Sequence, residues 1–175
     1  RRPMAHLVLS RFEQLASLGS RVPRLAAIGA RPAGRFLGLV DLPTPPRRRC
    51  AVPLFAADAA RGVDIVLLTD VFSGVLDPAT LDKTAEVLES VGYTVRRSAF
   101  VGSAKFDHVK GRRARFAGAA RRQAELVRAI VSAGAVPVAI EPATALLHRH
   151  EYPRLVPGYP SDDVRMLVDL VAERA

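Results

Sequence analysis

Between Phe100 and Phe116 the chain reads FVGSAKFDHVKGRRARF, setting out Lys105, Asp107, His108 and Lys110 between Gly102 and Gly111. A lysine supplies a point charge, a histidine can donate from its ring, and a glycine lets the backbone come close to a bound group. Together Lys105, His108 and Lys110 suit a carboxylate or a phosphate, helped by exposed amides near the two glycines. The same residues would also serve as a solvated basic loop ahead of a basic helix, and the sequence leaves both readings open. Their spacing fits neither a phosphate-binding P-loop nor the dinucleotide fingerprint.

Two other constellations carry less. In LLHRHEYP, His148, His150 and Glu151 invite a metal. Histidines two apart on a helix point in different directions, and the i, i+4 pair that a helical metal site uses is missing. An ordinary polar helix end is the better reading, so no metal site is expected. Asp107 and His108 could form half of a triad with Ser73 or Ser103 as nucleophile, but nothing like a nucleophile elbow surrounds either serine. Cys50 is the single cysteine. Alone it can form no internal disulfide, and it cannot hold zinc or an iron–sulfur cluster.

These residues need elements to place them. AHLVLSRFEQLASLGS (5–20) sets Leu7, Val8, Phe12, Leu15 and Leu18 at helical spacing with Gly19 as a stop. A second short apolar helix or turn follows, broken by Pro23, Pro32 and Gly34. DLPTPPRRRCAVPLF holds four of the thirteen prolines and reads as an extended connector that ends a helical arm near residue 55. The chain then divides into this arm and linker, 1–55, and a domain over 62–175.

In that domain VDIVLLTD is a β-branched and leucine run, the pattern of a buried parallel strand. In DPATLDKTAEVLESVG, Asp77 is placed to cap, Pro78 suits the first turn, and Leu81, Val87, Leu88 and Val91 form the stripe before Gly92. YTVRRSAF is a second strand whose Arg96–Arg97 pair predicts an edge or a strand end. The longest helix follows, with Phe116, Ala120, Leu126, Val127 and Ile130 inward and arginines outward. AVPVAIEP is a third strand, ATALLHRHEYP a short helix stopped by Pro153, and SDDVRMLVDLVAERA a closing helix capped by Ser161. Alternating strands and helices mean an α/β fold with a small parallel sheet flanked by helices. Ligands in such sheets sit beyond the carboxyl ends of the strands. Those ends are 69–73, 102–105 and 141–144, and the three loops should converge.

Bulk properties narrow the classes. At 175 residues, 49% hydrophobic and 25% charged, the chain suits one domain with a core, plus an extension. No apolar run approaches the roughly 20 residues needed to span a bilayer. With no signal-peptide core either, cytoplasm is the expected compartment. The net charge is +9, of which +8 lies in residues 1–50: ten arginines against Glu13 and Asp41. A second basic stretch, Arg96 to Arg128, carries ten basic residues against Asp107 and Glu125. Basic surfaces favour nucleic acid, anionic lipid or acidic small molecules without choosing among them. Arg112, Arg113, Arg115, Arg121 and Arg122 could meet phosphates. No helix-turn-helix, RNA-binding aromatic pair or zinc finger accompanies them, which counts against nucleic acid.

Three stretches taken together resemble a known family. VDIVLLTDVFSGVLDPATLDKTAEVLESVGYTV, then KFDHVKG with its arginine-rich helix, then AGAVPVAIEPATALLHRHEYPRL occur in that order. They are similar to the C-terminal cysteine-rich (CCG-type) domain of bacterial FAD-linked oxidase and 4Fe-4S oxidoreductases, the relatives of D-lactate, glycolate and D-2-hydroxyglutarate dehydrogenases. RFLGLVDLPTPP also looks like the linker after their ferredoxin domain. The resemblance implies one part of a flavoprotein that oxidises a 2-hydroxy acid, with FAD-binding and ferredoxin domains as partners and an acidic small-molecule substrate. It implies no cofactor in this chain: FAD and 4Fe-4S would belong to the full-length enzyme or a partner. Such a part is not expected to be catalytic alone.

This chain departs from the family pattern where the cysteines should stand. Gly102, Ser103, Ala104 and Lys105 occupy the loop after the second strand, and Glu141, Pro142, Ala143 and Thr144 replace the EPSC of the third. The Lys105–His108–Val109–Gly111 pattern is kept. The resemblance therefore implies a cluster loop turned polar, with Gly102, Ser103, Ala104 and Thr144 at degenerate ligand positions. Docking, or contact with substrate or a neighbouring domain, would be its remaining work. The alternative from another class is a stand-alone basic module binding nucleic acid through the arginine-rich helix. A small hydrolase built on Ser103 and His108 is a third.

Overall fold

The structure is a computed structural model describing residues 11–37, 46, 49–57 and 62–173. Leu7 and Val8 of the expected first helix lie outside the described residues. Two helices form the arm: α1, Phe12–Arg21, and α2, Pro23–Leu37. The body follows as β1 (Ile65–Leu68), α3 (Pro78–Ser90), β2 (Val95–Arg97), α4 (Lys105–Val109), α5 (Arg113–Ser132), β3 (Val136–Ala139), α6 (Pro142–Leu146), β4 (Arg165–Met166) and α7 (Leu167–Ala172). Two π-helical turns, Val71–Leu76 and Leu147–Glu151, complete it. The four strands are all parallel, in the order β2-β1-β3-β4.

Strand β1 shows why the sheet forms here. Its four residues are all buried, and successive side chains serve opposite faces. Ile65 and Leu67 pack with Leu81, Ala85 and Leu88 of α3 and with Leu170 of α7. Val66 and Leu68 pack with Val127 and Ile130 of α5 and with Ala145 of α6. A continuous apolar run is needed because both faces are covered. Each large side chain so buried contributes about 1.5–3 kcal/mol.

Arg96 and Arg97 do lie on the outer strand, β2. The end of the connector extends this edge: Phe55 donates its N–H to Arg97 O (2.8 Å) and Arg97 donates to Pro53 O (3.0 Å). Asp82 anchors the same segment, accepting from the Ala51 and Val52 amides at 2.7 and 3.3 Å.

Several expectations need correction. Helix α1 continues through Gly19 to Arg21, and α2 runs unbroken for fifteen residues past Pro32 and Gly34. Pro32 is tolerated there although it removes one intrahelical donor. Pro23 starts α2 rather than breaking it, since the first turn needs no such donor. In α3 Val87 faces solvent, as does Val91 just past its end, and Ala85 takes the inward place. Asp77 precedes α3, but its carboxylate accepts from Thr80 Oγ1 (2.7 Å) and caps no backbone N–H. The helix expected to run to Pro153 gives way at Leu147 to a π turn ending at Glu151. Ser161 caps nothing. Its segment instead leads into β4, and α7 begins only at Leu167.

Candidate functional site

The strand order reverses direction between β1 and β3, so the crevice beyond their carboxyl ends is where a ligand of an open α/β sheet is expected. The three loops do meet there. Asp70, Val71 and Phe72 from the first, Ser103 and Lys105 from the second, and Glu141 and Thr144 from the third line one small cavity of about 170 Å³. Glu13 of the arm lines it too.

Each loop is held by its own polar group. Asp70, just past β1, caps the Val71–Leu76 turn, accepting from the Phe72 and Ser73 amides (2.6 and 2.9 Å) and from the Ser73 hydroxyl. The tight turn requires Gly74, because a Cβ there would stand 2.1 Å from Thr69 Cγ2. Glu141 caps α6 by accepting from the Thr144 amide (2.7 Å) and hydroxyl (3.0 Å). The second loop is the one that departs from expectation. It holds an anion, but the anion is the chain's own Glu13. Ser103 and Ala104 donate their amides to Glu13 Oε2 at 2.8 and 3.0 Å, and the Ser103 hydroxyl donates to Oε1.

The four residues singled out from sequence separate around this loop. Lys105 faces the small cavity, 3.9 Å from Glu141. His108, three residues on, lies against Phe116 (ring centroids 4.3 Å apart) and 3.5 Å from Glu151 Oε2. It lines a different hollow, of about 390 Å³, with Arg113 and Arg154. Lys110 is exposed. Asp107 is buried and pairs with Arg112 (3.3 Å) and, more distantly, Arg115 (4.0 Å).

Behind the loop sits an aromatic cluster. His148 is turned fully inward, its Nδ1 at 2.5 Å from the Tyr159 hydroxyl. Burial drives the His148 imidazole down to about 4. Its partner His150 is exposed, so the two do not converge. Tyr152 donates to Ser103 O at 2.8 Å, and burial, followed by the nearby Tyr159 and Glu13 charges, holds its phenol well above the usual value. It therefore stays a donor.

At the four positions where the resemblance implied degenerate cluster ligands, Gly102, Ser103, Ala104 and Thr144, the residues do not fit an iron–sulfur cluster. Ser103 is bound to Glu13, Thr144 is bound to Glu141, and Gly102 and Ala104 offer no ligand atom. Cys50 lies in the connector instead, its thiol 3.1 Å from Asp82 and pushed up to about 11 by burial and then by that hydrogen bond. A thiol held protonated is a poor ligand. Among the described residues, no group of three His, Cys, Asp or Glu is arranged to hold a metal ion, and no helix is long and apolar enough to cross a membrane.

Sequence reasoning missed Glu13, Tyr152 and Gln123, the residues that complete the loop. The lone acid amid the arginines of residues 11–37 was the available signal for the first. No family model matches the chain, and no solved structure matches it. Two curated proteins do, both named D-2-hydroxyglutarate dehydrogenase. The one from Pseudomonas putida is 27% identical over a 177-position alignment that covers 90% of this chain and 18% of that protein. The one from Pantoea ananatis is 27% identical over 100 positions, covering 57% of this chain and 10% of that protein. The chain is thus similar, along most of its length, to less than a fifth of a 2-hydroxy-acid dehydrogenase.

Proposed function

We propose that this chain is the C-terminal domain of an FAD- and 4Fe-4S-dependent oxidoreductase acting on a 2-hydroxy acid. Its work there is docking, and contact with the acidic substrate or a neighbouring domain, rather than cluster binding. The observation that supports this most is the similarity to D-2-hydroxyglutarate dehydrogenase over 90% of the chain. It is joined by loops at the sheet's switch point whose polar groups bind carboxylates instead of iron.

Within that reading the partners are the FAD-binding and ferredoxin domains of the same enzyme, in the cytoplasm. Flavin, when bound in those domains, supplies the two-electron oxidation. This chain's own residues bind and orient. Lys105 sits at the mouth between the first and third loops, already opposite Glu141. An incoming carboxylate would share that charge. His108 borders the separate hollow beside Glu151 and Arg154, a contact suited to a neighbouring domain.

The test starts with the native polypeptide that contains this chain, purified with an antibody against it. A band several times this chain's mass, carrying flavin and iron and reducing a dye with a 2-hydroxy acid, is the expected result. In that enzyme Lys105→Ala should raise KM with little change in kcat, the sign of lost ground-state binding. A band at this chain's own mass without flavin would overturn the reading. Steeply salt-dependent binding of DNA or RNA by that species would favour the basic-module alternative.

A further inference from the structure

We infer that the 102–104 loop is a carboxylate receptor and that Glu13 occupies it as an internal stand-in for the substrate's carboxylate. The inference rests on the functional reading above for the identity of the substrate, and on geometry for the receptor.

The loop is braced from behind so that its amides point forward. The buried Gln123 donates from Nε2 to Gly102 O (3.2 Å), and the buried Tyr152 donates to Ser103 O (2.8 Å). With both carbonyls drawn back, the next two N–H groups face the arm. Gly102 has φ +74, and a Cβ there would stand 3.1 Å from Glu13 Oε2, so the bare glycine leaves the room that the carboxylate uses. Ala104 also takes a left-handed conformation, φ 52, which a residue with a Cβ adopts at a cost. Backbone strain, a glycine and two buried braces all serve one end: two amides and a hydroxyl aimed at one carboxylate.

An approach to that point exists. A cleft of about 670 Å³ runs between α1 and α5, with the loop at its base and Arg11, Arg115 and Arg122 among its walls. Arg11 and Arg122 lie on this cleft outside the Asp107 ion pairs, and such guanidinium groups attract a small anion. Asp107, the other acid lining it, is neutralised by Arg112 and Arg115. On the opposite side, Asp70 is satisfied by its own turn and Glu141 by Thr144 and Lys105. Glu13 has no basic side chain pairing with it among the described ion pairs. Two amides and the Ser103 hydroxyl hold its carboxylate, as they would hold a ligand's.

Because Glu13 is tethered, it competes with a free carboxylate at an effective concentration of about millimolar or more. Removing it should therefore uncover the receptor. The experiment is a titration of this chain with sodium D-lactate, followed through the Ser103 and Ala104 amide resonances, in wild type, Glu13→Ala and Glu13→Gln. Sodium chloride at matched ionic strength is the comparison. Either variant should shift both amides saturably and bind lactate at least about tenfold tighter than wild type does. The glutamine variant keeps the side chain's volume and answers the question if the alanine variant does not fold. No shift in a folded variant, equal affinity in wild type, or an equal response to chloride would each overturn the inference. The readout needs no flavin and no turnover. Failure of the enzyme assignment would appear separately, as a native polypeptide without flavin or hydroxy-acid oxidation.

Discussion

Helix α5 and the arm helices carry similar residues, leucine, isoleucine, alanine and arginine, yet dispose of them in opposite ways. Helix α5 buries Phe116, Ala120, Ala124, Val127 and Ile130 and turns Arg121, Arg122 and Arg128 to solvent. In the arm, Ala16 of α1 is buried, while Leu15, Leu18, Leu25 and Ile28 are exposed, Ile28 by 74%. Amphipathic helices are stabilised mainly by burying their apolar face. Helix α5 has found its surface within the body. The arm is attached by a few contacts instead: Phe12 between the rings of Phe72 and Phe106, Ala16 against Val71 and Val75, and the Glu13 carboxylate in the loop. Among the described residues its remaining apolar side is exposed, the kind of surface the proposed docking would use.

The contrast can be broken first where the body is strongest. Leu67→Ala should cost about 2–5 kcal/mol in denaturant unfolding, since Leu67 is fully buried between two helices. Ile28→Ala, an equal truncation on the arm, should stay within about 0.5 kcal/mol in this chain. Comparable losses at the two positions would mean that the arm is packed as tightly as the body.

Acid should act on the body through His148. Its folded value, about 4, lies below the unfolded value of about 6.5, so folding excludes a proton. Stability is complete above pH 6.5 and falls as the pH is lowered toward 4, by up to about 3 kcal/mol for this group. Denaturant midpoints measured across that range should show the fall, and a His148→Phe variant should show a smaller one. A wild-type profile flat from pH 6.5 to 4 would contradict the burial of the neutral ring.

Gly74→Ala sharpens the comparison at the contact between arm and body. The added methyl meets Thr69 Cγ2, a side chain already fixed by its hydroxyl on Ser98 O (2.6 Å). Overpacking of this kind costs about 1–3 kcal/mol, readable as a lower melting temperature. Tyr152→Phe comes last. It removes one brace from Ser103 O and should cost about 1 kcal/mol. An unchanged or higher stability of Tyr152→Phe would instead indicate that the brace strains the loop.

Much of this architecture could be read from the residues. The run IVLL read as a strand covered on both faces, and Ser103 and Glu141 fell in the loops after the second and third strands, where the loops converge. What could not be read had physical causes. Glu13 and Ser103 are 90 positions apart, and no local pattern records such a contact. Strand β4 has two residues, too few for any periodicity, and its pairing with Val138 and Ala139 is set by the sheet edge. Pro32 looked like a break because sequence rules weigh the lost donor and not the rest of the helix. An anion was expected at Lys105, His108 and Lys110, side chains that local spacing groups but the fold sends apart, while the amides of Ser103 and Ala104 hold Glu13.

The most direct measurement is amide hydrogen exchange at Ser103 and Ala104 in wild type and Glu13→Ala. Neither amide belongs to the sheet or has a helical partner, and both are bonded to Glu13. If the carboxylate seats the arm on the loop, wild type protects both and the variant loses that protection while β1 and α5 keep theirs. Equal exchange of the two amides in both proteins would contradict the account.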